Sequence, residues 1–304
     1  MRLFANANYK FVEYRKVYFA ISIILILAGI VSMVIKGGPK FGIDFKGGTL
    51  LQIQFADEPN VHKVRAAFEE DKSLGSVEIK AYGDKKDREL IIGIEKLEIS
   101  PDAVIQKVKD VLESGFAGKY QIRREESVGP KIGNELKTKA LIALFLSWLS
   151  IIVYLWIRFQ FKFGVTAVAG LIHDVLIVLG ACSIFNIEWS MTLVAAFLTI
   201  IGYSINDTII VFDRVRENLF VDKRMDIYAL FNHSINQTLS RTIITSGLTF
   251  LAVVSLYAIG VSAIQDFAFA MIVGIITGTY SSFGISLSLI ALWNPETLRH
   301  KKMA

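Results

Sequence analysis

The sequence predicts a polytopic α-helical membrane protein, six transmembrane helices with an α+β extracytoplasmic domain between helices 1 and 2. Three observations predict it. Of 304 residues 53% are hydrophobic, and they gather into six stretches near the roughly 20 residues that cross a bilayer. One polar segment, 36–139, interrupts them and is long enough to bury a small core of its own. The basic residues sort by side: of 33 Lys and Arg, 14 lie at the termini and in two of the short connections, and the connections around Glu188 and Asp266 carry none.

Residues 1–16 form a basic N-terminus, and the first span is Val17–Ile35. It is longer than a signal-peptide core and no A-x-A site follows, so it reads as a signal anchor. In the polar segment, Leu50–Phe55 alternates like a half-buried strand. Asn60 is placed to cap a helix whose apolar face is Val61, Val64 and Phe68. Strands follow at Ser76–Tyr82 and Glu89–Ile94, with a turn at Gly83-Asp84. Ser100-Pro101-Asp102 starts a second helix, and Tyr120–Val128 is a last strand. The succession β-α-β-β-α-β is that of a ferredoxin-like sandwich. The remaining spans are Ala140–Ile157, Gly164–Ile187, Trp189–Phe212, Thr242–Gln265 and Phe267–Trp293. An amphipathic segment at 222–240, with Tyr228, Phe231, Ile235 and Leu239 on one face, reads as an interfacial helix. Gly274, Gly278, Ser281 and Ser288 make a small-residue stripe for close helix contact on the last span.

Short loops obey the positive-inside rule, so both termini, 1–16 and 294–304, are expected in the cytoplasm and the polar domain outside. The other 19 Lys and Arg lie in that domain, which crosses regardless of charge. The basic residues are thus topology signals and solvated surface, and nucleic acid is not an expected partner. Cys182 is the only cysteine, so no intrachain disulfide can form. His62 is the only histidine of the polar segment, too few for a metal site. No nucleophile–base pair stands out, and the residues point away from an enzyme. The glycines of GIDFKGG lack the P-loop lysine-serine pair and a following helix. They read as a turn from membrane to strand.

Asp207 sits in an apolar run otherwise uncharged from Trp189 to Phe212. A carboxylate at that depth costs about 2.5–3.5 kcal/mol. It suits proton or ion work, or a specific ion pair, better than packing. Its depth is roughly 9 Å from the cytoplasmic end of the span.

Three segments resemble the SecF family, the smaller subunit of the SecD–SecF protein-export complex, of the resistance-nodulation-division superfamily. They are Gly42–Thr49 (GIDFKGGT), Gly164–Gly180 (GVTAVAGLIHDVLIVLG) and Gly202–Asn218 (GYSINDTIIVFDRVREN). Gly42, Asp44, Phe45, Gly47 and Gly48 carry the first motif. The resemblance implies a half-transporter in the bacterial inner membrane, completed by SecD. It implies work with the SecYEG channel, the SecA ATPase and YajC on unfolded polypeptides, with protons as the coupling ion and no other cofactor.

Asp207 matches the family's intramembrane aspartate, and Arg241, opening the fifth span, its arginine. Thr245 and Thr249 continue the Arg241 face as a polar stripe. A carboxyl that alternates between a dry site and a cation takes a proton in one state and releases it in the other. Asn206 and Tyr203 are candidates to hydrogen-bond it. His173 and Asp174, at similar depth in the third span, are candidates for the same relay. Asp213, Arg214, Arg216 and Glu217 read as a salt-bridge cluster at the cytoplasmic mouth. Alternatives are a proton-driven exporter half for lipid or small molecules, and a non-transporting scaffold of the translocon.

Overall fold

The computed structural model describes residues 7–82, 86–95, 100–260, 262–293 and 298. The expected Gly83-Asp84 turn lies outside them. Among the described residues six helices are long and apolar enough to cross a membrane. The first, α1 (Arg15–Ile35), leads into a short helix, α2 (Ile43–Lys46).

The polar domain then runs β1 (Gly48–Phe55), α3 (Val61–Glu70), β2 (Val77–Tyr82), β3 (Glu89–Glu95), α4 (Pro101–Phe116) and β4 (Tyr120–Val128). The sheet order is β2-β3-β1-β4 with every neighbour antiparallel, consistent with a ferredoxin-like sandwich. Period-two alternation puts Leu51, Ile53 and Phe55 of β1 into one core with Val64, Phe68, Val104, Val108 and Leu112. Asn60 Oδ1 accepts from the His62 and Lys63 amides at 3.0 and 3.2 Å, and Ser100 Oγ accepts from Ala103 N. Both helices start where their caps stand.

From β4 the chain enters α5 (Pro130–Arg158), followed by α6 (Phe161–Ile184), α7 (Met191–Val221) and α8 (Ile227–Ile259). The last span is α9 (Ser262–Ser281), a π-helical turn at Ser282–Ser286, and α10 (Leu287–Leu292). Three helices overrun their expected spans. α5 starts at Pro130 rather than Ala140, so residues 130–139 belong to a bundle helix and not to the polar domain. α7 continues through DRVREN to Val221, so Asp207 lies about 21 Å from the end of its helix rather than 9 Å. Segment 222–240 is not a separate interfacial helix. From Ile227 on it is the first part of α8, and Phe231, Ile235 and Leu239 are buried against Phe212 and Val215 of α7. Their apolar face meets protein, which removes the reason to lie on lipid.

The small-residue stripe is spent inside the chain. A Cβ on Gly278 would fall 2.9 Å from Ser204 Cβ, and one on Gly274 would strike Ile200, so α9 packs directly on α7. Likewise a Cβ on Gly180 of α6 would lie 2.9 Å from Gly29 Cα of α1.

The motif after α1 is wedged between the sheet and the bundle. Gly42 N donates to Trp189 O (2.9 Å) and Trp189 N to Lys40 O (2.8 Å). Phe45 is buried with Ala140 of α5 and Val194 of α7. A side chain on Gly133 of α5 would meet the Phe45 carbonyl oxygen at 2.9 Å. Gly47 and Gly48 turn the chain into β1 at φ 78° and 146°, values that favour glycine.

Candidate functional site

Two buried carboxylates stand on neighbouring helices, and small hydroxyl side chains bring the polar groups together. Asp207 of α7 is 1% exposed. Its Oδ2 accepts a hydrogen bond from Ser246 Oγ of α8 at 2.9 Å. Arg241 forms no ion pair with it among the described residues; its charge acts on the carboxyl only from longer range. The reason is helical phase. Ser246 and Thr242 are buried on the face toward α7, whereas Arg241 and Thr245 are exposed. The Thr245 and Thr249 hydroxyls donate back to the Arg241 and Thr245 carbonyls of their own helix at 3.0 and 3.1 Å. The expected Arg241 stripe therefore exists but looks outward.

Asn206 of α7 is exposed. Tyr203 Oη is buried without a hydrogen-bond partner. Neither bonds Asp207 among the described contacts.

Asp174 of α6 is fully buried and is the better connected acid. Its Oδ2 accepts from Ser204 Oγ of α7 (2.7 Å) and Ser281 Oγ of α9 (2.9 Å). Its Oδ1 faces His173 Nδ1 at 2.9 Å, so the two adjacent side chains turn toward each other. His173 Nε2 reaches Ser22 Oγ of α1 at 2.8 Å. Ser22 Oγ lies 3.0 Å from Tyr280 Oη, which donates to the Tyr18 carbonyl at 2.5 Å.

Counting protons along this chain fixes its charge. Tyr280 has given its one proton to Tyr18, so it accepts from Ser22. Ser22 then has none left for His173, and Nε2 must donate. One more proton lies between Nδ1 and the carboxyl. The pair is thus either imidazolium with carboxylate or neutral imidazole with carboxylic acid. Both carry zero net charge, the state a fully buried pair tolerates. The pair with one proton fewer would be an unpaired anion and would leave one of these contacts without a hydrogen.

The two centres meet on α7. Ser204 holds Asp174, and Thr208, beside Asp207, lies 2.9 Å from Ser282 Oγ on the last span. Ser22, Ser204, Ser246 and Tyr280 were not singled out from the sequence. At the far end of α7, Asp213 pairs with Arg216 (3.4 Å) and with Arg158 of α5 (3.6 Å), and Arg214 with Glu217 (2.8 Å). The cluster clamps α5 to α7 and is remote from both carboxyls.

Six membrane-length helices with titratable groups sealed in their interior, and an α+β domain inserted after the first, define a multi-pass membrane protein. Comparison with known proteins places it further. Residues 107–296 match the family described as protein export membrane protein SecD/SecF, C-terminal, and residues 31–58 the SecD/SecF GG motif. The chain is 39% identical over 292 residues to the protein translocase subunit SecF of Desulfurispirillum indicum, covering 94% of this chain and 92% of that one. It is 39% identical over 312 residues to the SecF of Rhodothermus marinus, covering 100% and 99%. The chain belongs to the SecF family.

Among solved structures it is similar to SecDF, a translocon-associated membrane protein from Thermus thermophilus, with TM-score 0.85 and 34% identity, covering 97% of this chain and 40% of that one. Against SecDF in the super-membrane-facing form the TM-score is 0.69 at 33% identity. The chain spans 40% of the SecDF chain in both comparisons.

Proposed function

We propose that the chain is an auxiliary subunit of the Sec translocase. It acts in the inner membrane with both termini cytoplasmic, and with SecD it uses the proton-motive force to promote export of unfolded polypeptides. SecYEG, SecA and YajC are the further partners this reading implies. The observation that carries it is Asp207, 1% exposed in a membrane-length helix with a single hydroxyl donor. Such a carboxyl is cheaply held protonated and expensively held charged. An arginine that reaches it only in another conformation would tip that balance. Arg241, exposed five residues from Ser246 on the same helix, is placed for a partner half to push inward. In this reading the His173–Asp174 pair holds a second proton. Moving one charge through 100 mV yields about 2.3 kcal/mol, so several protons serve each large movement.

The exporter reading wants a deep apolar pocket in the outer domain. The large groove there, about 670 Å³, is walled by charged residues, among them Lys40, Arg65, Glu69, Glu78 and Lys80. The test is Asp207→Asn in vesicles with SecD. Proton-dependent export is expected to be lost with the complex assembled. Retained proton dependence would refute the relay, and a scaffold would remain.

A further inference from the structure

The helix that carries Asp207 is gripped at its outer end by the domain outside the bundle. Asp44 Oδ2 accepts a hydrogen bond from the Met191 amide, the first of α7, at 2.7 Å. α7 already has a cap of its own: Ser190 Oγ accepts from Leu193 N at 3.3 Å. Asp44 is therefore an additional acceptor, brought from another part of the chain to the positive end of a 31-residue helix. It is rigidly presented. The turn that bears it is fixed by the backbone bonds of Trp189 with Gly42 and Lys40 on one side and by the close approach of Gly133 to Phe45 on the other.

Two residues beyond this turn the chain becomes β1, the strand between β3 and β4. A second attachment lies at the sheet edge. Glu188, in the loop before α7, pairs with Lys80 of β2 and, at 3.2 Å, with Lys40. Glu78 of β2 pairs with Lys40 at 2.5 Å and Lys80 at 3.0 Å. One attachment would act as a hinge. Two, at a central and an edge strand, fix the orientation of the sheet on α7.

We propose that Asp44 is the positioning residue of a mechanical joint, its carboxylate tying the sheet domain to the outer end of α7, so that a displacement of the Asp207 helix is delivered to that domain. Only the last step, delivery into export, rests on the relay reading above.

The test uses the complex with SecD in lipid vesicles. Spin labels on Glu70→Cys of α3 and Ile259→Cys of α8, both exposed, report the distance from sheet to bundle; Cys182 is buried. Asp44→Ala should broaden that distribution and lower proton-driven export about five- to tenfold, the factor a lost cap corresponds to. Asp44→Asn keeps an oxygen for the Met191 amide and should retain both. An unchanged width in Asp44→Ala overturns the joint. So does equal loss in the Ala and Asn variants with failed assembly, which marks a folding role. If Asp207→Asn exports normally while Asp44→Ala broadens the distances, the relay fails and the joint stands.

Discussion

Asp174→Asn tests the proton count of the buried chain. An asparagine with its Nδ2 toward His173 Nδ1 reproduces the carboxylic acid. It donates to the imidazole, and its oxygen accepts from Ser204 and Ser281. Asp174→Ala removes every partner. Ser281 can fall back on the Gly278 carbonyl at 3.1 Å, so the lasting losses are the bonds to Ser204 and His173. Interhelical hydrogen bonds in membranes average about 0.6 kcal/mol and reach about 1.7. The same range, applied to the interhelical bond to Ser204 and to the bond to the adjacent His173, puts the cost of Asp174→Ala at about 1–3 kcal/mol, below the figure for groups buried in a water-soluble core. Asp174→Asn should cost less than about 1 kcal/mol. The assay is thermal unfolding of the purified protein in detergent, with the His173 tautomer read from its ring nitrogens by NMR. The asparagine variant should show a proton on Nε2 and none on Nδ1. Destabilisation equal to that of Asp174→Ala, with Nδ1 protonated, would refute the count.

Two further outcomes follow from the geometry. Ser246→Ala removes the hydroxyl that bonds Asp207 and should lower proton-dependent export several-fold, whereas Thr245→Ala, whose hydroxyl serves its own helix, should leave it unchanged; vesicle export decides. In the outer cluster, burial pulls the Lys40 ammonium down, but its bond to Glu78 and the charge of Glu188 outweigh this and hold it above the ordinary lysine range. Burial pushes the Glu78 carboxyl up, and Lys40 and Lys80 more than offset it, leaving it below the ordinary carboxylate value of 4.5. A depressed carboxyl stabilises above its unfolded value and loses that contribution as pH falls through its folded one. The protection factors of the β2 amides, the intrinsic exchange rate at each pH divided by the observed rate, should therefore stay high at neutral pH and fall in acid below 4.5, and Glu78→Gln should remove that fall.

Much of this architecture is legible in the sequence, because lipid imposes a length and a composition on each span. The caps at Asn60 and Ser100 were legible for a similar reason: short polar side chains before apolar periodicity have few other uses. The ends of α7 and α8 were not. DRVREN is polar enough to read as a membrane exit, yet a helix leaving the bilayer need not stop there when Phe231 and Ile235 pack against it. The carboxylates were legible as expensive residues, but their partners were not. A serine or threonine in a membrane helix most simply bonds its own preceding turn, as Thr245, Thr249, Ser255 and Thr277 do. Which hydroxyls cross instead to another helix, as Ser204 and Ser246 do, depends on helix phase, and phase is set by packing. Arg241 shows the same limit: its neighbour in sequence, Thr242, is buried on the inner face while Arg241 is exposed.

The π-helical turn at Ser282–Ser286 has a consequence for how the last span can change length and register. A π turn holds a residue more than an α turn, and such turns concentrate at functional sites. Here the surplus residue falls directly after Ser281, which holds Asp174, and begins at Ser282, which meets Thr208 beside Asp207. Sliding that surplus along the helix would rotate the side chains it passes by about 100° while the flanking turns kept their hydrogen bonds. The last span thus carries, directly after its contact with Asp174, a built-in slack of one residue. That slack gives the span a place to turn about its own axis beside Asp174 without unwinding.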